Sequence, residues 1–250
     1  MQTYYLTDAG KIRDHNEDSV IIVKNDNDEY LMAVADGMGG HQAGEVASSI
    51  VINHISKKFQ ELTKLGEKAH AVNWLRTNVQ IINNEIIKKA NNNEDSKGMG
   101  STLVIALLTK DYLLFGNIGD SSGFVMKDQE LHKITKDHTL VNLLVSTGEL
   151  SEEEAKIHPK KNVLMKALGA NEEVEMDIFD VDINIEAILL CSDGLTNMLN
   201  EKQIEKVLND ERLSVSNKVN RLIKKSNIRG GTDNISVAYL VKEDEEINDN

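Results

Sequence analysis

The alternation of apolar and polar positions divides the chain into short strand-like runs and a few long amphipathic stretches. Residues 31–35 are continuously apolar and run into Asp36, and 44–59 carry Val46, Ile50, Val51 and Ile55 at helical spacing. Leu75, Val79, Ile82, Ile86 and Ile87 repeat that spacing over 74–90, so two long helices are predicted. Strands are predicted over 20–23, 102–108, Leu113–Ile118 and 124–126, with Lys110-Asp111 and residues 120–123 read as hairpin connections. Further on, 174–182 alternates apolar and acidic residues, Ala187–Cys191 is a buried strand, 204–208 and 215–223 are helical, and Ile235–Val241 closes the set. Short turns between strands favour antiparallel sheets, and the helices need an apolar face to cover. The expected class is α+β, a layered sandwich.

Residues 137–162 break the pattern. They are polar, contain the only proline, Pro159, and separate core elements, so they are expected to project as a flap in which Ser151 and the acids after it cap a short helix. The rest of 1–241 reads as one domain, followed by an acidic tail over 242–250. With 40% hydrophobic and 28% charged residues, the 250-residue chain can bury a substantial core. The single cysteine, Cys191, lies in an apolar run and excludes an intramolecular disulfide. No apolar stretch reaches the roughly 20 residues of a membrane span and the N-terminus lacks the order of a secretory signal, so the cytoplasm is expected. A net charge of −13 argues against nucleic acid as a partner.

Asp36, Asp193 and Asp233 each mark a junction between an apolar run and glycine. Carboxylates at the rim of an apolar core lose solvation with nothing to offset it, so three such rims are expected to converge on cations, and all-oxygen ligation points to Mg²⁺ or Mn²⁺. The Gly37 carbonyl is a further oxygen donor. Arg13 and Asp18 bracket the polar turn before the strand at 20–23, where a guanidinium can chelate phosphate and a carboxylate can hold water at a metal. The glycine-rich segment 36–44 is not a phosphate loop, because Glu45 and Val46 stand where Lys and Ser or Thr are required. His41, at the start of the helix, is a candidate general acid or a helix-start residue; otherwise the leaving group takes its proton from water.

Eight ordered segments carry a resemblance: RDHNED (13–18), DGMGGHQAGE (36–45), GMGSTL (98–103), NIGDSS (117–122), 135–159, NVLMKALG (162–169), CSDGL (191–195) and GGTDNISV (230–237). Over roughly residues 5–240 the chain resembles the bacterial metal-dependent protein serine/threonine phosphatases of the PP2C (PPM) family. The resemblance implies a four-layer αββα sandwich with a binuclear Mn²⁺ or Mg²⁺ centre in a cleft at one edge of the two sheets. In it Asp36 bridges the metals, Gly37, Asp193 and Asp233 complete the shell, and Asp18 orients the water. It also gives Arg13 the substrate phosphate, Asp120 a third and weaker metal site with Asp193, and Asn234 a supporting role behind the ligands. The implied activity is hydrolysis of phosphoserine and phosphothreonine in proteins by a cytoplasmic monomer opposing a bacterial Ser/Thr kinase. Ser122 and Lys166 stand where the family commonly has arginine, and Met38 follows the Asp-Gly pair as in bacterial members. A metal-dependent phosphodiesterase or pyrophosphatase, or a non-catalytic binding protein of the same fold, are the other readings.

Overall fold

The architecture, taken from a computed structural model, is described for residues 1–40 and 42–243. One antiparallel sheet contains β2 (Asp18–Lys24), β3 (Tyr30–Met38), β5 (Leu103–Leu108), β6 (Leu113–Ile118) and β9 (Asp177–Val181) in that order, with the two-residue β4 (Gly100–Ser101) beside the end of β3. The other has the order β1 (Gln2–Asp8), β11 (Ile235–Val241), β10 (Ala187–Cys191), β7 (Ser122–Lys127), β8 (Glu130–Lys133). Helices α1 (Ala43–Gln60) and α2 (Lys68–Asn92) cover the first sheet. Helices α5 (Asp193–Thr196), α6 (Glu201–Leu208) and α7 (Val215–Ile228) cover the second.

The strand parity builds the four layers. Leu31, Ala33 and Ala35 join Leu103, Ile105 and Leu107 under α1 and α2, while Met32, Val34, Val104 and Ala106 face the other sheet. Across that interface Ile188, Leu190, Ala238 and Leu240 face inward, and Leu189, Cys191, Val237 and Tyr239 face the second helix layer. Each central strand is therefore buried on both faces, which is why these antiparallel strands read as continuous apolar runs.

Several expectations are corrected. Residues 120–123 are not a hairpin: β6 pairs with β5 and β9 in one sheet, and β7 pairs with β8 and β10 in the other, so this connection crosses between layers. A polar turn looks alike in either case; the choice of sheet is made by distant partners. The strand at 31–35 continues to Met38, so Asp36 and Gly37 lie within β3 and pair with β2 and β4. Edge strands β1 and β8 carried no clear apolar pattern, and the 174–182 strand shortens to β9.

Segment 137–162 contains α3 (Leu140–Ser146) and α4 (Glu152–Ile157); the latter has the expected capping box between Ser151 and Glu154. Its ends meet in a short stem, where Leu140 N donates to Val163 O (2.8 Å) and Met165 N to His138 O (2.7 Å). Among the described residues no helix is long and apolar enough to cross a membrane. Residues 244–250 of the acidic tail lie outside the described residues.

Candidate metal centre

The layer between the sheets changes character at one end. Along β3 the inward parity passes from Met32 and Val34 to Asp36, and Asp18 is the residue directly opposite Asp36 on β2. Directly paired residues share a face, so two carboxylates stand side by side at the end of an apolar layer, where like charges repel. The inward parity of β10 reaches Ser192 and that of β11 reaches Ser236, and Ser192 N donates to Ser236 O (3.1 Å).

Asp18 is buried, with Oδ2 accepting from Ser192 Oγ at 2.6 Å and Oδ1 buried without a partner. Burial, with Asp193 and Asp233 adding to it, pushes its pKa up to about 7 against the two serines. Asp36 is raised well above the carboxylate range by burial, then by Asp18, Asp193, Asp120 and Asp233. Its backbone is fixed on both sides by Thr102, whose Oγ1 accepts from Asp36 N and whose N donates to Asp36 O, each at 2.9 Å. Asp193 opens α5, accepts from Asn197 Nδ2 at 2.9 Å, and has a second oxygen buried without a partner. Burial and Asp233 raise it to about 6. Asp120, on the β6–β7 connection, is raised to about 7 by burial, Asp193 and Asp137.

Two glycines allow this crowding. A Cβ on Gly37 would stand 2.0 Å from the Gly44 carbonyl oxygen, and one on Gly194 2.0 Å from that of Asn234, so any side chain would push α1 or β11 away from the acids. Asp233 lies just before β11 and accepts from Arg13 Nη2 at 2.8 Å. Arg13 is half exposed at the mouth; partial burial opposes its charge, while Asp233, Glu17 and Asp36 favour it, and the balance is upward. The Asn234 side chain spends its hydrogen bonds on backbone rather than on the metal-candidate carboxylates. It accepts from Glu17 N (2.8 Å) and donates to Ala9 O and His15 O (2.9 Å each), holding the loop that carries Arg13 and leads into Asp18 against β11.

The predicted residues Arg13, Asp18, Asp36, Gly37, Asp120, Asp193, Asp233 and Asn234 thus gather at one end of the sandwich. His41 lies outside the described residues. Sequence reasoning missed Ser192, Ser236 and Thr102, although a polar residue at an inward position of an otherwise apolar strand is a usable signal. Among the described residues no three carboxylate, imidazole or thiol side chains are drawn into a closed metal cage. The donor set nevertheless fits hard divalent cations: it is all oxygen, several acids hold raised pKa values, and two buried carboxylate oxygens have no donor. A cavity of about 500 Å³ separates Asp120 and Asp193 from Val141, Val145, Ala155 and Lys156 of the projecting segment.

Residues 11–225 match the family model described as protein phosphatase 2C. The chain is 42% identical over 245 residues to the serine/threonine phosphatase stp of Listeria monocytogenes serovar 1/2a, covering 98% of this chain and 96% of that one. Its fold is similar to the crystal structure of serine/threonine phosphatase Stp1 from Staphylococcus aureus, with TM-score 0.91 and 35% identity over 97% of this chain and 95% of that one. The Mycobacterium tuberculosis phosphatase PstP/Ppp gives TM-score 0.84 and 34% identity, covering 97% and 99%.

Proposed function

We infer that this chain, which belongs to the protein phosphatase 2C family, hydrolyses phosphoserine and phosphothreonine in proteins with divalent cations held among Asp18, Asp36, Asp193 and Asp233. The observation that carries the reading is the directly opposed pair of Asp18 and Asp36, whose neighbours supply more acid than donors. When bound, Mn²⁺ or Mg²⁺ lowers the pKa of water and neutralises charge forming on the phosphoryl group.

The protein's own residues divide the remaining work. Asp36, which feels all four other acids, would hold the ions together with the Gly37 carbonyl, Asp193 and Asp233. Asp18, anchored by Ser192, presents its other oxygen to orient water. Arg13 spends one nitrogen on Asp233 and has further donors for the non-bridging phosphate oxygens. Cys191 is fully buried and its thiol is pushed upward by burial, so it offers no nucleophile. Asp120 adds a third, weaker cation site beside Asp193, and the segment 137–162 selects protein substrates across the intervening cavity. The setting that fits is a cytoplasmic monomer opposing a serine/threonine kinase.

The test is Mn²⁺-dependent turnover of a phosphothreonine peptide and p-nitrophenyl phosphate, beside a phosphate diester and pyrophosphate. Hydrolysis of the two monoesters alone, abolished by chelator, is expected. Preference for the diester or pyrophosphate would replace this reading with another metal-dependent hydrolase, and no turnover of any substrate would leave a binding protein.

A further inference from the structure

His138 stands at the foot of the projecting segment, its side chain 10% exposed, and it holds Gly119, the residue before Asp120, by both its amide and its carbonyl. Its backbone N donates to Gly119 O at 2.9 Å, and its ring Nδ1 accepts from Gly119 N at 3.1 Å. Acceptance at Nδ1 puts the ring proton on Nε2. That nitrogen is buried and makes no hydrogen bond of good geometry, and it lies 3.1 Å from Asp177 Oδ2 on β9. Asp177 also holds Lys166 Nζ at 3.1 Å, and the carbonyl of His138 accepts from Met165 N in the stem.

Gly119 has little slack on its other side. Its φ is +102°, and a Cβ there would lie 2.5 Å from the Thr102 methyl carbon, the same threonine that fixes the backbone of Asp36. Thr102 Oγ1 also bonds Ser121 Oγ at 2.8 Å, immediately after Asp120. Asp120 is thus carried on a segment pinned at Ser121 by the core and at Gly119 by His138.

We propose that His138 is a positioning residue that sets the Asp120 carboxylate for its cation and ties that carboxylate to the stem of segment 137–162. The contacts run from Lys166 and Asp177 through the ring to Gly119, so a shift of the stem is felt at Asp120 before it is felt at Asp36. The inference rests on the reading of Asp120 as part of a weak cation site. Supports of this kind typically change metal affinity by about 10- to 100-fold when removed.

Two substitutions separate the arms of the ring. In His138→Asn the amide oxygen falls near the position of Nδ1 and can still accept from Gly119 N, whereas the Asp177 contact is out of reach. In His138→Gln the longer amide can reach Asp177, but Gly119 N loses its acceptor. Mn²⁺ binding to the full-length protein is measured by calorimetry, with thermal melting as a control for folding and with kcat and KM on p-nitrophenyl phosphate and a phosphothreonine peptide. The expected result is weak-site affinity within about 2-fold of the parent for His138→Asn and about 10-fold weaker for His138→Gln, with the tight ions retained in both. Wild-type weak-site affinity in His138→Gln, or equal losses in both variants that follow the melting temperature, would overturn the proposal. If His138→Gln does not fold, His138→Ala, which also leaves Gly119 N without its acceptor, serves instead: weakened third-ion binding supports the proposal and unchanged binding overturns it. Parent protein that binds two ions and no third removes the Asp120 site and this inference with it. Parent protein that binds no Mn²⁺ and turns over no phosphate ester instead removes the underlying metal-phosphatase reading, whatever the variants do.

Discussion

Two buried carboxylates sit at opposite ends of the hairpin formed by β2 and β3, Asp18 at 6% exposure and Glu29 at 5%, and their surroundings differ in kind. Glu29 accepts from Asn25 Nδ2 and Leu65 N at 2.7 Å and from Asn27 Nδ2 at 3.1 Å, so both its oxygens are satisfied. Asp18 has one serine on one oxygen, nothing on the other, and Asp36, Asp193 and Asp233 around it. Burial of an acid therefore does not by itself make a site. Glu29 closes a loop with the donors the fold supplies; Asp18 and its neighbours keep acceptor capacity that only protons, cations or water can fill.

The largest expected break in this comparison is Asp36→Asn. Removing the charge that faces all the others should disable the open end while leaving the closed end untouched. Metal charge stabilisation is worth several kcal/mol, so turnover should fall roughly 10³-fold or more. Rate and Mn²⁺ stoichiometry measured together decide the point, and two tightly bound ions with near-parent turnover would remove Asp36 from the bridging role.

Stability should respond with opposite signs at the two ends. Glu29→Ala strands the Leu65 N–H and the Asn25 amide, each at about 1–3 kcal/mol, which for a domain of this size lowers the melting temperature by several degrees with or without metal. Asp18→Asn keeps an acceptor for Ser192 and deletes a repelling charge, so the metal-free variant should melt higher than the metal-free parent at pH 8. The pH dependence follows the same logic. Asp18 and Asp120 near 7 and Asp193 near 6 are raised above the ordinary carboxylate value, so their contribution to stability is full below about pH 4 and is lost as pH rises through 6 to 7. Carboxylates held low, such as Asp28 beside Lys24 and Asp210 beside Arg212, act in a separate window below pH 4. Metal-free protein should accordingly lose melting temperature between pH 5 and 8, and Mn²⁺ should restore it at pH 8. A flat profile in the metal-free protein would mean that the cluster is not strained by its own charge.

The same contrast marks what the sequence could disclose. Asp36, Asp193 and Asp233 were legible because an apolar run meeting an acid next to or two residues from glycine is a local pattern. Glu29 was not, since between Asn27 and Tyr30 it resembles a solvated turn and its decisive donor, Leu65 N, lies 36 residues away. The β6–β7 connection was misread for the same reason: the turn is local, whereas membership of a sheet is settled by β9 and β10. His138 sits in a polar stretch with no periodicity, and only the folded chain brings it to Gly119 and Asp177. Ser192 is intermediate, visible in principle as a polar residue that continues the inward parity of β10.

Ser192 also supplies the finest test of the comparison, because its hydroxyl hydrogen-bonds Asp18 and is the larger of the two serine influences, with Ser236, that hold the carboxylate down. Its Oγ donates to Asp18 Oδ2 and accepts from Ser236 N at 2.9 Å, so it joins the ends of β10 and β11 beneath the acid. Ser192→Ala removes a hydrogen bond that holds the Asp18 pKa down, and the metal-free carboxylate should then keep its proton to higher pH. Cations compete with that proton, so the variant should need more Mn²⁺, by roughly 3- to 10-fold at pH 6.5, and the gap should narrow to about 2-fold or less at pH 8, where Asp18 is mostly ionised in the parent and about half or more ionised in the variant. At saturating Mn²⁺ the ions themselves fix the charge of Asp18, so kcat should stay close to that of the parent. Mn²⁺ activation curves at the two pH values measure this directly: equal deficits at both would assign the effect to the β10–β11 joint, and no deficit at either would mean that Asp18 is governed by its acidic neighbours alone.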